Sequence, residues 1–249
     1  MAFCEVKFSG QSIGKHTSMD VIVPNSGSGP FPVLYLLHGL SDDCTRWRRQ
    51  TSIERYVENL PLIVVMPDGG RSFYVNDPRP GGRAYEDHIV KDVVGFVDRV
   101  FPTIAAARGR AVAGLSMGGY GAMMLALKHP NLFCAGAAHS GAFIFAHERK
   151  KELQGKEDVT FLGRAVRPKD YDMFRLAAAC KTKRRRPALR FDCGADDWLL
   201  ATNRAFHAHL DRLGLAHEYA EHPGGHSWDY WDVHIRETLA FVMKALKKP

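Results

Sequence analysis

The chain is predicted to be an α/β protein, an open and mostly parallel sheet with helices on both faces. Three observations lead there. Val33-Leu34-Tyr35-Leu36-Leu37 and Leu62-Ile63-Val64-Val65-Met66 are continuous apolar runs, the pattern of strands buried on both faces of a parallel sheet. Strand-like runs alternate with helical stretches along most of the chain. Finally, Gly114-Leu115-Ser116-Met117-Gly118 follows the apolar run 110–113 and leads into 120–129, so that strand, sharp turn and helix occur in order.

The elements follow from the same patterns. Residues 3–8 and 17–23 read as an N-terminal antiparallel pair, joined around Gly10 and Gly14 and closed by Pro24 and a glycine-rich loop. Strands are expected at 33–37, 62–66, 110–113, 134–138, 188–193 and 217–220. Helices are expected over 51–59, 85–100, 117–129, 202–213 and 229–246; in the second, Ile89, Val93, Phe96, Val97 and Val100 fall on one side. Residues 142–187 break the rhythm, being long, charged and irregular, and read as a cap or lid inserted over the site. With 249 residues and no low-complexity divide, the chain reads as one domain, 1–249.

Composition excludes several classes. Hydrophobic residues at 45% and charged residues at 24% argue against disorder. No apolar run reaches membrane-spanning length and Met1–Lys7 has no leader pattern, so a cytoplasmic protein without a membrane partner is expected. The five cysteines, Cys4, Cys44, Cys134, Cys180 and Cys193, are scattered without metal-ligand spacing, which predicts reduced thiols and no metal. The net charge of +7 is spread along the chain except in the run 181–186, so no nucleic-acid partner is expected. That run reads as a solvated connection or, alternatively, as a patch attracting anions. A homo-oligomer is left open.

Ser116 is the candidate nucleophile. A serine held in a strained turn between strand and helix needs neighbours without Cβ atoms, which Gly114 and Gly118 supply. Its hydroxyl is a poor nucleophile at neutral pH, so it needs a histidine base, and that base needs a carboxylate to fix its tautomer. In this architecture the chain order is serine, then acid, then histidine. Asp197, in the loop beyond the strand 188–193, is the acid chosen, with Asp196 in reserve; Asp192 lies within the strand and reads as structural. His226, in the glycine-flanked loop before the last helix, is the base. His222 lies earlier, near the strand end, while His207, His209 and His234 sit in helices and read as solvated or satisfied. Asp229 and Asp232 read as N-terminal capping residues of the final helix. The oxyanion hole is assigned to the backbone N–H groups of Met117, directly after the nucleophile, and Leu40, in the loop after the early buried strand. His38 reads as a support for that loop. Arg46, Arg48 and Arg49 read as solvated or as attracting an anionic alcohol portion. Trp47, Trp198, Trp228 and Trp231 read as packing around loop ends, with a lining of the substrate pocket as the alternative.

Taken together, the segments 36–40, 65–70, 113–121, 193–197 and 225–228 resemble the esterase D family of α/β-hydrolases, most closely its tributyrin-esterase-type carboxylesterases. The resemblance runs over nearly the whole chain and is least secure over 142–187. It implies the α/β-hydrolase fold and a cofactor-free serine esterase acting on a small-molecule ester, with Ser116, Asp197 and His226 as its catalytic residues. Hydrolysis of short-chain acyl esters through an acyl-enzyme is therefore the expected function. The family also contains S-formylglutathione hydrolases, feruloyl and acetylxylan esterases, and mycolyl transferases, so these activities and acyl transfer by the same residues are the alternatives. Where S-formylglutathione hydrolases usually carry Ser-Gly-Leu-Thr-Cys, this chain has His38-Gly39-Leu40-Ser41-Asp42. A hydrolase fold kept only as a binding module is disfavoured, because every component of the site has a candidate.

Overall fold

The computed structural model describes residues 1–146 and 168–246, arranged around one eight-stranded sheet in the order β1-β2-β4-β3-β5-β6-β7-β8. Strands β1 (Ala2–Gly10) and β2 (Lys15–Val23) form the N-terminal antiparallel pair, turning through Gly14 at φ +61°. β2 then pairs antiparallel with β4 (Ile63–Pro67). From there β3 (Val33–Leu37), β5 (Arg110–Leu115), β6 (Ala135–His139), β7 (Ala188–Gly194) and β8 (Glu218–His222) run parallel. All six expected parallel-sheet strands are thus present, with bounds moved by a residue or two.

Alternation along each strand divides the core between the two faces. Val33, Tyr35 and Leu37 join one cluster, while Leu34 and Leu36 join the other. The first face is covered by α4 (Val94–Val100), α5 (Met117–Lys128), α7 (Met173–Lys181) and α8 (Leu200–Leu213). The second is covered by α1 (Arg46–Gln50), α2 (Ile53–Val57) and α9 (Trp228–Leu246). Helix α5 is buried from Met117 to Leu127, which accounts for a sequence that is apolar and small all round rather than amphipathic. Short helices α3 (Tyr85–Asp87) and α6 (Pro168–Tyr171) complete the set described. No helix among the described residues is long and apolar enough to cross a membrane.

Several sequence expectations are corrected. The helix expected over 51–59 is the shorter α2, and an unexpected α1 precedes it, set apart by Thr51, which adopts an extended conformation and whose hydroxyl donates to the Trp47 carbonyl. The helix over 85–100 contains a π segment, His88–Val93, at which buried His88 pairs with Asp92 one turn on (Nδ1···Oδ2 2.9 Å). Of the segment read as a cap, residues 147–167 lie outside the described residues. Its described flank α7 belongs to the sheet-covering layer, with Met173, Leu176, Ala177 and Cys180 buried beside α5 and α8. The basic run 181–186 is not uniformly solvated: Lys183 Nζ donates to the carbonyls of Leu127 and Lys128, both at 2.9 Å, closing the C-terminus of α5. Asp232 does not cap α9. It accepts from the Ser52 N–H (2.7 Å) and the Tyr56 hydroxyl (3.1 Å) and ties α9 to α2, while Ser227 accepts from the Tyr230 N–H at the helix start.

Candidate active site

Ser116 occupies the turn from β5 into α5 with φ +52° and ψ −115°, a conformation few non-glycine residues adopt. Three contacts hold it there. Its N–H donates to the His139 carbonyl (2.9 Å), and its own carbonyl accepts from Tyr120 (3.0 Å) and Ala142 (3.1 Å). Strain at this residue projects the hydroxyl beyond the carboxyl ends of the strands, where open α/β sheets bind ligands.

His226 and Asp197 reach Ser116 from the loops after β8 and β7. His226 Nε2 lies 3.0 Å from Ser116 Oγ, and its Nδ1 lies 2.9 and 3.2 Å from the two carboxylate oxygens of Asp197. An Nδ1–H donating to Asp197 leaves an Nε2 lone pair facing the hydroxyl, the tautomer a general base requires. Asp197 is buried and its Oδ1 also accepts from the Leu199 N–H at 2.8 Å. Burial by itself would raise its carboxyl. Hydrogen bonding and charge from His226, with the Ser140 hydroxyl and the Leu199 N–H, outweigh it and hold the group below the ordinary carboxylate range.

The two loops are joined by their backbones. Ala195 N–H donates to the His222 carbonyl (2.8 Å) and Asp196 N–H to the Gly224 carbonyl (2.9 Å). A Cβ on Gly194 would fall 2.3 Å from the Gly224 oxygen, so glycine is required for this approach. The same register separates the two aspartates. Asp196 is exposed, its amide used in the loop junction, whereas Asp197 turns inward to His226. His222 is not brought to the serine; its ring stacks on His234 at 4.0 Å.

The loop after β3 packs against the elbow. A Cβ on Gly39 would lie 3.8 Å from Ser116 Cβ, and one on Gly118 would lie 2.4 Å from the Leu37 oxygen and 2.5 Å from that of His38. Leu40 stands at the centre of a turn closed by Asp42 N–H to the Gly39 carbonyl (3.3 Å), with Ser41 at φ +70°. Its N–H is therefore not used in closing the turn. The Met117 N–H is the first of helix α5 and has no acceptor within the helix. His38 Nε2 accepts from the Gly69 N–H (2.8 Å), which leaves Nδ1 as the donor to the Gly39 carbonyl (2.8 Å) and pins the loop on both sides.

The tryptophans divide by position. Trp47 is fully buried, donates to the Leu37 carbonyl (3.0 Å) and meets Trp228 edge-on. Trp231 presents its ring to His226 at 88° and 4.9 Å, fixing the imidazole plane from behind. Trp198, 51% exposed, stands 5.2 Å from His226 on the open side. The arginines are engaged rather than free: Arg46 with Asp42 and the Trp228 ring, Arg48 with Asp20 and the Phe3 ring, Arg49 with Thr45.

Sequence reasoning missed the support beneath these residues. His139 and Asp192, both fully buried, pair at 2.9 Å where β6 and β7 end, and Asp192 also accepts from the Tyr230 hydroxyl (3.0 Å). Burial would raise the Asp192 carboxyl; His139, Arg190 and Tyr230 lower it instead. The next residue, Ser140, has φ +48°, accepts from the Trp231 indole N–H (3.2 Å) and supports Asp197. A Ser-Gly pair directly after a strand was the available signal. Hydroxyl, imidazole, carboxylate and the nearby backbone amides are together the components of acyl transfer through a covalent intermediate.

Comparison with known proteins agrees with this geometry. Residues 10–242 match the Esterase family model. The chain is 26% identical over 264 residues to an acetyl esterase of Caldicellulosiruptor saccharolyticus, covering 98% of this chain and 99% of that one. Among solved structures it resembles the fluorophosphonate-binding serine hydrolase F of Staphylococcus aureus, determined with substrate bound. That likeness has a TM-score of 0.85, 29% identity and 99% coverage of both chains. An S-formylglutathione hydrolase of the same organism is similar with a TM-score of 0.82 and 28% identity, over 97% of this chain and 98% of that one.

Proposed function

The chain belongs to the Esterase family, carboxylesterases of the α/β-hydrolase fold, and on that premise we propose that it hydrolyses short-chain acyl esters with Ser116, His226 and Asp197 as its catalytic residues. One observation supports the assignment above all: Ser116 Oγ, His226 Nε2 and Nδ1, and Asp197 stand in a continuous hydrogen-bonded line, 3.0 and then 2.9 Å. Ser116 Oγ attacks the acyl carbonyl as His226 Nε2 takes its proton. Asp197 stabilises the imidazolium, and the N–H groups of Leu40 and Met117 receive the oxyanion. His226 then returns the proton to the departing alcohol, and water, activated by the same nitrogen, releases the acid and frees Ser116. The acetyl esterase relative favours a small acyl group.

A thioester with a one-carbon acyl group is the second reading, favoured by the S-formylglutathione hydrolase structure among the similar ones. The test is a kcat/KM panel of p-nitrophenyl acetate, butyrate and octanoate beside S-formylglutathione, with fluorophosphonate labelling of the native chain and Ser116→Ala. Preference for acetate and butyrate, with labelling lost in the variant, supports the reading. Labelling that survives in Ser116→Ala overturns the nucleophile; preference for S-formylglutathione moves the substrate to the second reading.

A further inference from the structure

Helix α8 and strand β8 form the segment between Asp197 and His226, and at the far end from the reaction site this segment gathers two histidines and a carboxylate. His207 and Asp211 lie one turn apart on α8, and His217 immediately precedes β8. One ligand atom from each lies within 4.8 Å of the other two.

The hydrogen bonding leaves lone pairs turned into this cluster. His217 Nδ1 donates to the Leu215 carbonyl (2.8 Å), so its Nε2 carries a lone pair. That lone pair faces His207 Nδ1 at 2.7 Å, which must then be the donor. The remaining nitrogen of a neutral His207, Nε2, is left with a lone pair directed at Asp211 Oδ2, 3.5 Å away. Acceptor faces acceptor there, a pairing that a cation relieves. A metal ion bound between the two rings would supply that cation. The neighbourhood does not: Arg204 is already held by Glu221 at 2.7 and 2.8 Å.

We propose that His207, Asp211 and His217 bind one divalent transition-metal ion of the zinc type. His207 Nδ1 and His217 Nε2 supply the nitrogens and Asp211 Oδ1 the oxygen, with water completing the shell. Binding moves the His207 proton from Nδ1 to Nε2, where Asp211 Oδ2 accepts it, and no other proton or electron is transferred. Metal–nitrogen bonds of about 2.0–2.1 Å place tetrahedral ligands about 3.3 Å apart. The present separations, 2.7 Å between the two nitrogens and 3.9 Å from Asp211 Oδ1 to His217 Nε2, bracket that value. Both rings are already oriented, His207 stacked on Tyr219 at 4.4 Å and His217 on Phe191 at 5.7 Å, and the His217–Leu215 bond is the outer-shell contact that ligating histidines make. Half-exposed His207 and exposed Asp211 give the ion its entry path. The bound ion joins the end of α8 to the start of β8. Among the described residues a second group of this kind, His222, His234 and Glu237, has its cation in place, because Arg190 pairs with Glu237.

The experiment is equilibrium dialysis of untagged, chelator-treated protein against micromolar Zn²⁺ at neutral pH, with the visible spectrum of the Co²⁺ form as a second readout. Circular dichroism establishes that the metal-free His207→Gln and Asp211→Asn variants are folded. One Zn²⁺ per native chain, with binding at least about tenfold weaker in both variants and unchanged in His234→Gln, supports the site. No stoichiometric binding by the native chain overturns it. Undiminished binding in either variant, or loss in His234→Gln, overturns it equally.

Discussion

The Cα of Gly118 packs directly on the end of β3: a Cβ at Gly118 would stand 2.4 Å from the carbonyl oxygen of Leu37. Helix α5 and the loop bearing Leu40 are thereby locked together through backbone atoms that cannot swing aside. Gly118→Ala must part them, and the separation displaces Met117 N–H relative to Leu40 N–H. The expected result is a loss of at least about tenfold in kcat, with little change in KM, from steady-state kinetics on p-nitrophenyl butyrate. A lowered melting temperature accompanies it.

Ser116 sits at φ +52°, so its conformation is itself a burden on stability. Ser116→Gly removes the proposed nucleophile and the strain together. Turnover should fall by about a million-fold while stability rises by about 1 kcal/mol, which calorimetry reads as an increase in melting temperature of a few degrees.

Asp197 and Asp196 differ by one position and by complete inversion of environment. Asp197→Asn should lower kcat by about ten-thousand-fold, because the amide favours the wrong His226 tautomer. Asp196→Asn and His222→Ala should each remain within a few-fold of native. Single-turnover kinetics on the three variants checks the order.

His38 acts on the loop rather than on substrate, holding the Gly69 N–H and the Gly39 carbonyl at 2.8 Å each. His38→Ala leaves a buried N–H unpaired, at a cost of about 1–3 kcal/mol in urea denaturation. Activity should drop far less than in Ser116→Gly.

Glu86 governs stability in acid. Burial by itself would raise its carboxyl, but hydrogen bonds from His129 (2.7 Å), Lys128 (2.7 Å) and Tyr171 (2.8 Å) bring it down to about 2, against 4.5 unfolded. A depressed carboxyl stabilises above its unfolded value, and that stability disappears as pH falls from about 4.5 towards 2. Glu86→Gln should be less stable than the native chain at pH 7, by up to about 3 kcal/mol, and the gap should narrow steadily below pH 4.5. Denaturation at a series of pH values checks the sign.

Local patterns were enough to place the sheet and the loops that bear the site. Continuous apolar runs marked β3 and β4 because both faces of those strands are covered, and a glycine on either side of Ser116 marked the elbow because no Cβ fits there. The glycine-flanked loop then selected His226 over His222, which lies nearer the strand end. Contacts between distant residues were not legible. Thr51 divides α1 from α2 through its own extended backbone and a bond to Trp47, and Asp232 serves Ser52 and Tyr56, 180 and 176 positions away, rather than its own helix. Lys183 likewise closes a helix that ended more than fifty residues earlier.

By itself, then, the amino-acid sequence determined the periodicity of burial and the glycine-enforced turns, since each depends on neighbours a few residues apart, and the order along the chain of the candidate serine, acid and base. Only the tertiary structure decided which aspartate faces inward, that His139 and Asp192 pair beneath the site, that Ser140 and Trp231 hold Asp197 and His226 in place, and that His207 meets His217. These depend on strand register and helix packing, which bring together groups that no local pattern relates.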